Sequence, residues 1–438
     1  MRAIWTRGIA KLRVHPRRAL APSIRSVFSF VAKNEFTQSA LSLVFLSLIL
    51  FSCVAKSEFE TTDVNAKDLG YYRDSYEESR AQFLELAADA KRDYAGAEAG
   101  IIPVPDRTDG ELAVDWLYIP PRGEKSALVV LSSGVHGAEG FAGGAVQALL
   151  LEEYLPGAER KSTGFLFIHG INPYGMKNWR RFTGNNVDLN RNAPIGPQVY
   201  ATPNPDYGKL DAFLNPEGKV DLRRLDEKFF DLGMFWRVLV SGKKAFRQAS
   251  VGGQYKYPEG IFYGGSGPES QMPAIGELLR SRSASYAFVL GLDLHTGVGR
   301  RSYMHLMMNA GKDEAYRKEA VALFAGHPLD WPDGDDFYVT SGDFTTWLES
   351  IVSPRPVVAL TVEFGTLDSQ TTRGAFKSLW NMIHENRGRR FGYARPEDAR
   401  RVAEAYREMF FPSSRVWRSE VLRQSREGLF PAIDRAGD

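Results

Sequence analysis

The chain has one cysteine in 438 residues, Cys53. That excludes an internal disulfide framework and any cysteine cluster for a metal. It also lacks a charge excess: 55 Lys and Arg stand against 53 Asp and Glu, a formal +2. Residues 1–52 carry eight of those basic residues and a single acid, Glu35, so 47 basic face 52 acidic residues from Cys53 onward. The basicity therefore belongs to the leading segment, and no nucleic acid partner is implied. The uncharged apolar run "ALSLVFLSLILFS", residues 40–52, is 13 residues long, whereas a spanning helix needs about 20. A serine-hydrolase nucleophile elbow is not completed either, because Pro268 stands where the last glycine of the motif starting at Gly264 belongs. There is no internal repeat and no low-complexity tract.

What is present is a core and a leader. At 43% hydrophobic and 12% aromatic residues the chain can bury a substantial core. The run at 40–52 has the length of a signal-peptide hydrophobic region, about 7 to 15 residues, and Ser52 then precedes Cys53 in "FSCVAKS". This resembles a bacterial lipoprotein signal, with Cys53 as the lipidated residue and a membrane holding the anchor. Phe51 is bulkier than the residue usual there and the region before the run is long; a start at Val31 would give ordinary proportions. The alternative is a plain secretory signal or an uncleaved anchor, with Cys53 a bystander.

Beyond the leader the punctuation is that of one large α/β domain. Residues 72–94 have helical spacing, with Tyr76, Phe83, Leu84, Ala87 and Tyr94 on one face. Continuous apolar runs follow at 127–131, 165–168, 286–294 and 356–362, separated by helical patterns at 142–155, 270–282 and 313–325. Runs of this kind predict strands buried on both faces of a mostly parallel, mixed, twisted sheet flanked by helices. Residues 194–220, rich in Pro, Asn and Gly, read as a surface excursion.

Three apolar runs end on groups with chemistry: "LVVLSSGVH" on His136, "FVLGLDLH" on His295 and "VVALTVE" on Glu363. Open α/β sheets collect functional groups at the carboxyl ends of their strands. Two histidines and two carboxylates there can make a zinc site, with three protein ligands and a fourth position for water. His136 has Glu139 three residues on across a glycine turn, whereas His169, also at a strand end, has no such partner and reads as a hydrogen-bonded structural residue. His384 and Glu385 begin a helical zinc-protease motif, but Gly388 replaces its second His, so "HENRG" reads as a solvated helix face.

With "NPYGMKNWRRFTGNNVDLNRN", residues 172–192, the sequence resembles the zinc metallocarboxypeptidases, the carboxypeptidase A-like family, and within it a poorly characterised bacterial branch. The pieces occur in that family's order over roughly residues 70–410. The resemblance implies one Zn2+ per chain held by His136, Glu139 and His295, with Glu363 as general base. It implies Arg180, directly after Trp179, as the oxyanion-holding guanidinium, and Asn190 with Arg191 as a clamp for a substrate carboxylate. Asp188 matches the carboxylate that orients the first His. Tyr338, in "YVTSGDFTTW", matches the active-site tyrosine.

Thr345, seven residues after that tyrosine, leaves side-chain preference unread, and the roughly 70 residues after Cys53 leave no room for a bulky inhibitory prosegment. The expected layout is a leader at 1–52, a linker at 53–70, a catalytic domain at 71–410 and a C-terminal helical appendage at 411–438. The expected activity is hydrolysis of an amide bond next to a free carboxylate, on a peptide, by an exported, periplasmic, lipid-anchored enzyme. The alternatives are a zinc deacylase of small N-acyl amino acids and a binding lipoprotein without chemistry.

Overall fold

In the computed structural model, residues 64–106, 110–332 and 340–437 are described. The leader, Cys53, residues 53–63 and Tyr338 lie outside them. Among the described residues eight strands form one sheet: β1 Glu98–Pro105, β2 Glu111–Ile119, β3 Ala127–Ser133, β4 Thr163–His169, β5 Phe288–Gly297, β6 Met304–Met308, β7 Leu329–Asp330 and β8 Val357–Gly365. Their order is β1-β2-β4-β3-β5-β8-β6-β7. The centre, β4-β3-β5-β8, is parallel. The antiparallel pairs β1 with β2, β2 with β4 and β6 with β8 add the flanks.

The four expected strands are those of the parallel centre, and the reason is burial. Every residue of β3 and β4 is buried, which a strand covered on both faces requires. Alternate residues serve two layers. Val129, Leu131, Phe167, Leu290, Leu292 and Leu360 join one core, and Leu128, Val130, Leu166, Val289 and Ala359 the other. The missed strands β1 and β6 are partly exposed, as β1 shows with one buried residue in eight, and in β2 the apolar run is broken by Asp115.

The longer helices are α1 Tyr76–Asp93, α2 Gly140–Leu149, α3 Pro205–Leu214, α4 Phe230–Ser241, α5 Lys243–Val251, α6 Met272–Ser283, α7 Glu314–Leu323, α8 Phe344–Val352, α9 Thr372–Phe391, α10 Pro396–Phe410 and α11 Arg415–Gly437. Ser75 caps α1, its side chain accepting from the Glu78 amide at 3.2 Å. α1, α2 and α11 contribute to the first core layer, α6 and α8 to the second. A third apolar cluster, including Phe182, Met234, Phe262, Met382 and Phe410, gathers α3, α4, α5, α9 and α10.

Two expectations about boundaries change. Within the expected appendage at 411–438, α11 buries Trp417, Val421, Leu422, Leu429 and Ile433 in the same core as β3 and β5, so this helix is packed into the fold. At the other end, the stretch 64–70 is tied down: Asp68 is buried and its carboxylate accepts from Arg426 on α11 at 2.6 Å. The excursion at 194–220 carries α3, which buries Tyr207 and Leu214. Its Pro and Asn content marks the caps, with Asn204 accepting from the Tyr207 amide at 3.1 Å. The described residues all belong to a single compact unit, Phe59–Asp438.

Candidate metal centre

The site is built where β3 and β5 end. After Ser133 the chain turns through Gly134, whose φ of +72° lies in the left-handed region that favours glycine. His136 then caps a single 3-10 turn, Gly137–Glu139, which runs directly into α2. Gly137 is obligatory there: a Cβ would lie 2.1 Å from the Gly175 carbonyl carbon. The close approach lets two loops brace each other, with the Ala138 amide donating to the Arg180 carbonyl at 2.8 Å. On β5, Asp293 and His295 are two residues apart and so share a face. On the neighbouring β8, Glu363 is the register partner of His295.

His136, Glu139 and His295, all buried, can each offer one ligand atom within 4.8 Å of the others. The atoms that converge are Nδ1 of both rings and the Glu139 carboxylate. His136 Nδ1 lies 2.9 Å from Oε1, His295 Nδ1 lies 2.9 Å from Oε2, and the two nitrogens are 3.1 Å apart. The opposite ring nitrogens face carboxylates. His136 Nε2 donates to Asp188 Oδ1 at 3.1 Å, and His295 Nε2 donates to Asp293 Oδ2 at 2.5 Å. An ionised carboxylate only accepts, so each Nε2 carries hydrogen and each Nδ1 can turn a lone pair inward. Two such imidazoles and a carboxylate are the donor set of a divalent cation of the zinc type.

Electrostatics agree with that use. Burial disfavours the Glu139 carboxylate, yet His136 and His295 outweigh it and hold the group below the usual carboxylate range. Burial disfavours a charged His295, but Asp293 and Glu139 together raise it well above an ordinary histidine. Asp188 is also buried, and Arg181 and His136 overcome that burial to hold it well below its usual value. Glu363 moves the other way: burial, and then repulsion from Glu139, push it up to about 8. Its Oε1 accepts from the Val298 amide at 2.7 Å. A carboxyl poised near neutrality beside three candidate metal ligands is the kind of group that can accept a proton from water and hand it on.

Of the two adjacent arginines, the structure brings Arg181 and not Arg180 to the cavity. Arg180 does not line the cavity: its Nε donates to Glu385 Oε1 at 2.7 Å and its Nη2 to Asn186 Oδ1 at 3.1 Å. Arg181 does line it, with Nε donating to Asp188 Oδ2 at 3.0 Å and Nη1 lying 3.5 Å from Glu139 Oε1. Just before them Trp179 sits at φ +52°, its ring stacked on Phe141 with centroids 4.2 Å apart. Sequence spacing cannot show such a reversal. The same pair corrects the reading of "HENRG". Glu385 is Arg180's partner, and His384 is buried with Nε2 donating to Glu227 at 2.6 Å, so that face of α9 is not solvated.

Asn190 and Arg191 both line the cavity. Asn190 Oδ1 accepts from the Phe344 amide at 2.8 Å, and Arg191 donates to the carbonyls of Asn190 and Val251 at 2.7 and 2.8 Å. His169 is the structural residue expected, buried against Phe83 with ring centroids 4.8 Å apart and 2.9 Å from Gln147 Oε1. Sequence reasoning missed Asp293, although its place two residues before His295 on a strand was the available signal. It also missed the apolar wall of the cavity. About 690 Å³ of space extends from His136, Glu139 and His295 past Met234, Val238, Phe246, Val251 and Met382.

A buried two-histidine, one-carboxylate centre at the carboxyl edge of a mixed sheet, with a further carboxyl beside it, defines the class of site. Residues 72–424 match the family described as "Protein of unknown function (DUF2817)", and the chain belongs to that family. No curated protein sequence is matched. Among solved structures, bovine thrombin-activatable fibrinolysis inhibitor, in complex with tick carboxypeptidase inhibitor, is similar at 14% identity over 73% of this chain and 99% of its own, with a TM-score of 0.41. A metallo-carboxypeptidase from Burkholderia cenocepacia is similar at 11% identity over 72% and 70% of the two chains, TM-score 0.38. A succinylglutamate desuccinylase/aspartoacylase from Rhodobacter sphaeroides is similar at 17% identity over 67% and 66%, TM-score 0.33. At these values the chemistry of the site rests on its own geometry.

Proposed function

We propose that the protein is a zinc-dependent hydrolase, a metallocarboxypeptidase that cleaves an amide bond next to a free carboxylate. The observation that carries this reading is the convergence of His136 Nδ1, His295 Nδ1 and the Glu139 carboxylate, with Glu363 paired in register beside them. A divalent cation held by those three residues would lower the pKa of a bound water and polarise a substrate carbonyl. The remaining roles belong to side chains. Glu363 takes the proton from water and delivers it to the leaving nitrogen. Arg181, against the ligand carboxylate, is the guanidinium nearest to negative charge developing on the carbonyl oxygen, and takes the role first assigned to Arg180. Arg191 and Asn190 face the cavity where a terminal carboxylate is to be held, and Asp188 and Asp293 keep the two imidazoles oriented.

A cavity of about 690 Å³ is in the range of sites that enclose drug-sized ligands, about 300–1,000 Å³. That favours a peptide over the small acyl amino acid of the deacylase alternative. Tyr338 keeps its proposed substrate contact from the sequence, as Cys53 keeps its proposed lipid. Export and anchoring would show as lipid-labelled protein in a membrane fraction, lost on Cys53→Ser.

The test is metal analysis of residues 59–438, with a hydrolysis screen of blocked dipeptides and N-acyl amino acids with and without chelator. Stoichiometric zinc and chelator-sensitive release of a C-terminal residue are expected. Glu363→Gln should retain zinc and lose about 10²–10⁴ in kcat. Zinc with N-acyl amino acid cleavage alone would select the deacylase, and wild-type turnover in Glu363→Gln would remove Glu363 as base.

A further inference from the structure

The cavity over the candidate metal ligands has two unlike walls. One is polar and comes from the segments around β6, β8 and the start of α8, where Asn309, Ser341, Asp343, Thr345 and Thr361 line it beside Asn190. Its members hold one another: Thr345 Oγ1 donates to Asn309 Oδ1 at 2.8 Å, and the Phe344 amide to Asn190 Oδ1 at 2.8 Å. The other wall is apolar. Met234 and Val238 of α4, Phe246 and Val251 of α5, Met382 of α9 and Phe410 of α10 line it, and all belong to or pack against one cluster. That cluster includes Ala138, which stands between His136 and Glu139. Phe410 is tied to the same point, its carbonyl accepting from Thr296 Oγ1 at 2.5 Å while the Thr296 amide donates to Glu139 Oε2 at 3.0 Å. The apolar wall therefore begins at the candidate metal centre. Arg191 marks where the two walls meet, donating to the carbonyl of Asn190 on one side and to that of Val251 on the other.

We propose, resting on the hydrolase reading above, that the apolar wall receives the acyl side of the scissile amide: the substrate is a carboxylate-bearing residue joined to a large apolar acyl group. A carboxylate held by Arg191 and Asn190 commits its own residue to the polar wall. The amide then lies over His136, Glu139 and His295, and the acyl group faces α4, α5, α9 and α10, where burial of apolar surface stabilises it. None of the candidate ligand, base or clamp residues lies on α4 or α5, so what these two helices give the site is this wall. Hydrolysis adds the oxygen of water to the acyl carbon and breaks the carbon–nitrogen bond, releasing an apolar acid and a free amine. A peptide residue with a large apolar side chain and a fatty acyl chain present the same chemistry here. Lys243 and Arg247 of α5 also line the cavity, so an anionic acyl group is the competing class.

Binding is measured by calorimetry on zinc-supplemented Glu363→Gln protein, residues 59–438. The ligands are N-acetylalanine, N-octanoylalanine and N-succinylalanine, with the peptides acetyl-Gly-Ala and acetyl-Phe-Ala. A buried methylene is worth about fourfold in affinity. N-octanoylalanine should therefore bind at least tenfold tighter than N-acetylalanine, and acetyl-Phe-Ala than acetyl-Gly-Ala, at one site per chain; the larger of the two preferences tells acyl chain from peptide. α4 exposes Leu232, Trp236 and Leu239 on its outer side, so the variant is confined to cavity positions. Val238→Asn with Val251→Asn, both partly buried, should weaken octanoyl binding at least tenfold, leave acetyl binding within twofold and keep the wild-type circular dichroism. The comparison of acyl groups itself needs neither of these substitutions to fold. Equal affinity for the acetyl and octanoyl ligands overturns the proposal, as does tightest binding of the succinyl ligand or undiminished octanoyl binding by the double variant. Wild-type protein that binds the apolar ligands yet cleaves none of them overturns the hydrolase reading and leaves the wall with its assigned occupant.

Discussion

Asp293→Asn is the most informative substitution, because it touches no ligand atom and no substrate. Asp293 is buried, accepts from His295 Nε2 at 2.5 Å and from Ser132 Oγ at 2.6 Å, and so fixes both the hydrogen on His295 and the angle of its ring. An amide of the same shape keeps the packing and removes the charge. Partners of this kind contribute about 10–100-fold to metal affinity, or about 1.4–2.7 kcal/mol. The same carboxylate also strengthens proton binding at His295, whose pKa is raised despite burial by Asp293 and Glu139. In the wild type a proton therefore competes with the metal more strongly than in the variant. The sign follows: zinc affinity of both proteins rises with pH, and the deficit of Asp293→Asn is small in acid and widens toward about tenfold or more as pH rises. Competition against a chromophoric chelator between pH 6 and 9 measures it, with the melting temperature of the metal-free proteins as a control for folding. Equal zinc affinity at pH 9 would refute the orienting role, and a deficit independent of pH would refute the competition argument.

Other expectations concern the arginines and the buried histidine. Arg180→Ala leaves Glu385 without its 2.7 Å partner and should cost about 3–5 kcal/mol in chemical denaturation, while folded protein keeps its turnover. Arg181→Ala should lower kcat about 10²–10³-fold with KM changed less; the opposite pattern would restore the original assignment to Arg180. His169 is fully buried, and burial, then the charge of Arg80, push its pKa down to about 3. The unfolded chain therefore takes up the proton first, at about 6.5, and stability falls as pH drops from there toward 3. Between pH 7 and 5 the loss from this group is about 2 kcal/mol, which urea titrations of wild type and His169→Gln would show as a difference in pH slope.

Much of the site was legible because it sits at strand ends, where sequence order and spatial order agree. His136, His295 and Glu363 each follow an apolar run, and those runs became adjacent parallel strands β3, β5 and β8 with His295 opposite Glu363. Glu139 was reachable because a glycine turn holds it three residues from His136. Arg180 and Arg181 were indistinguishable, since adjacency in sequence does not tell which guanidinium meets Glu139 and which meets Glu385. The buried pair of His384 with Glu227 joins residues 157 apart, and no local pattern carries that.

By itself the sequence determined the parallel core and which histidines and carboxylates stand at its edge, because periodicity and strand-end position are local properties of the chain. Tertiary structure alone decided which arginine meets Glu139, that Asp293 holds His295, and that α11 completes the core. It also decided that α4 turns one apolar face to the cavity and the other to the outside. Periodicity tells that a helix has an apolar face; only packing tells whether anything covers it.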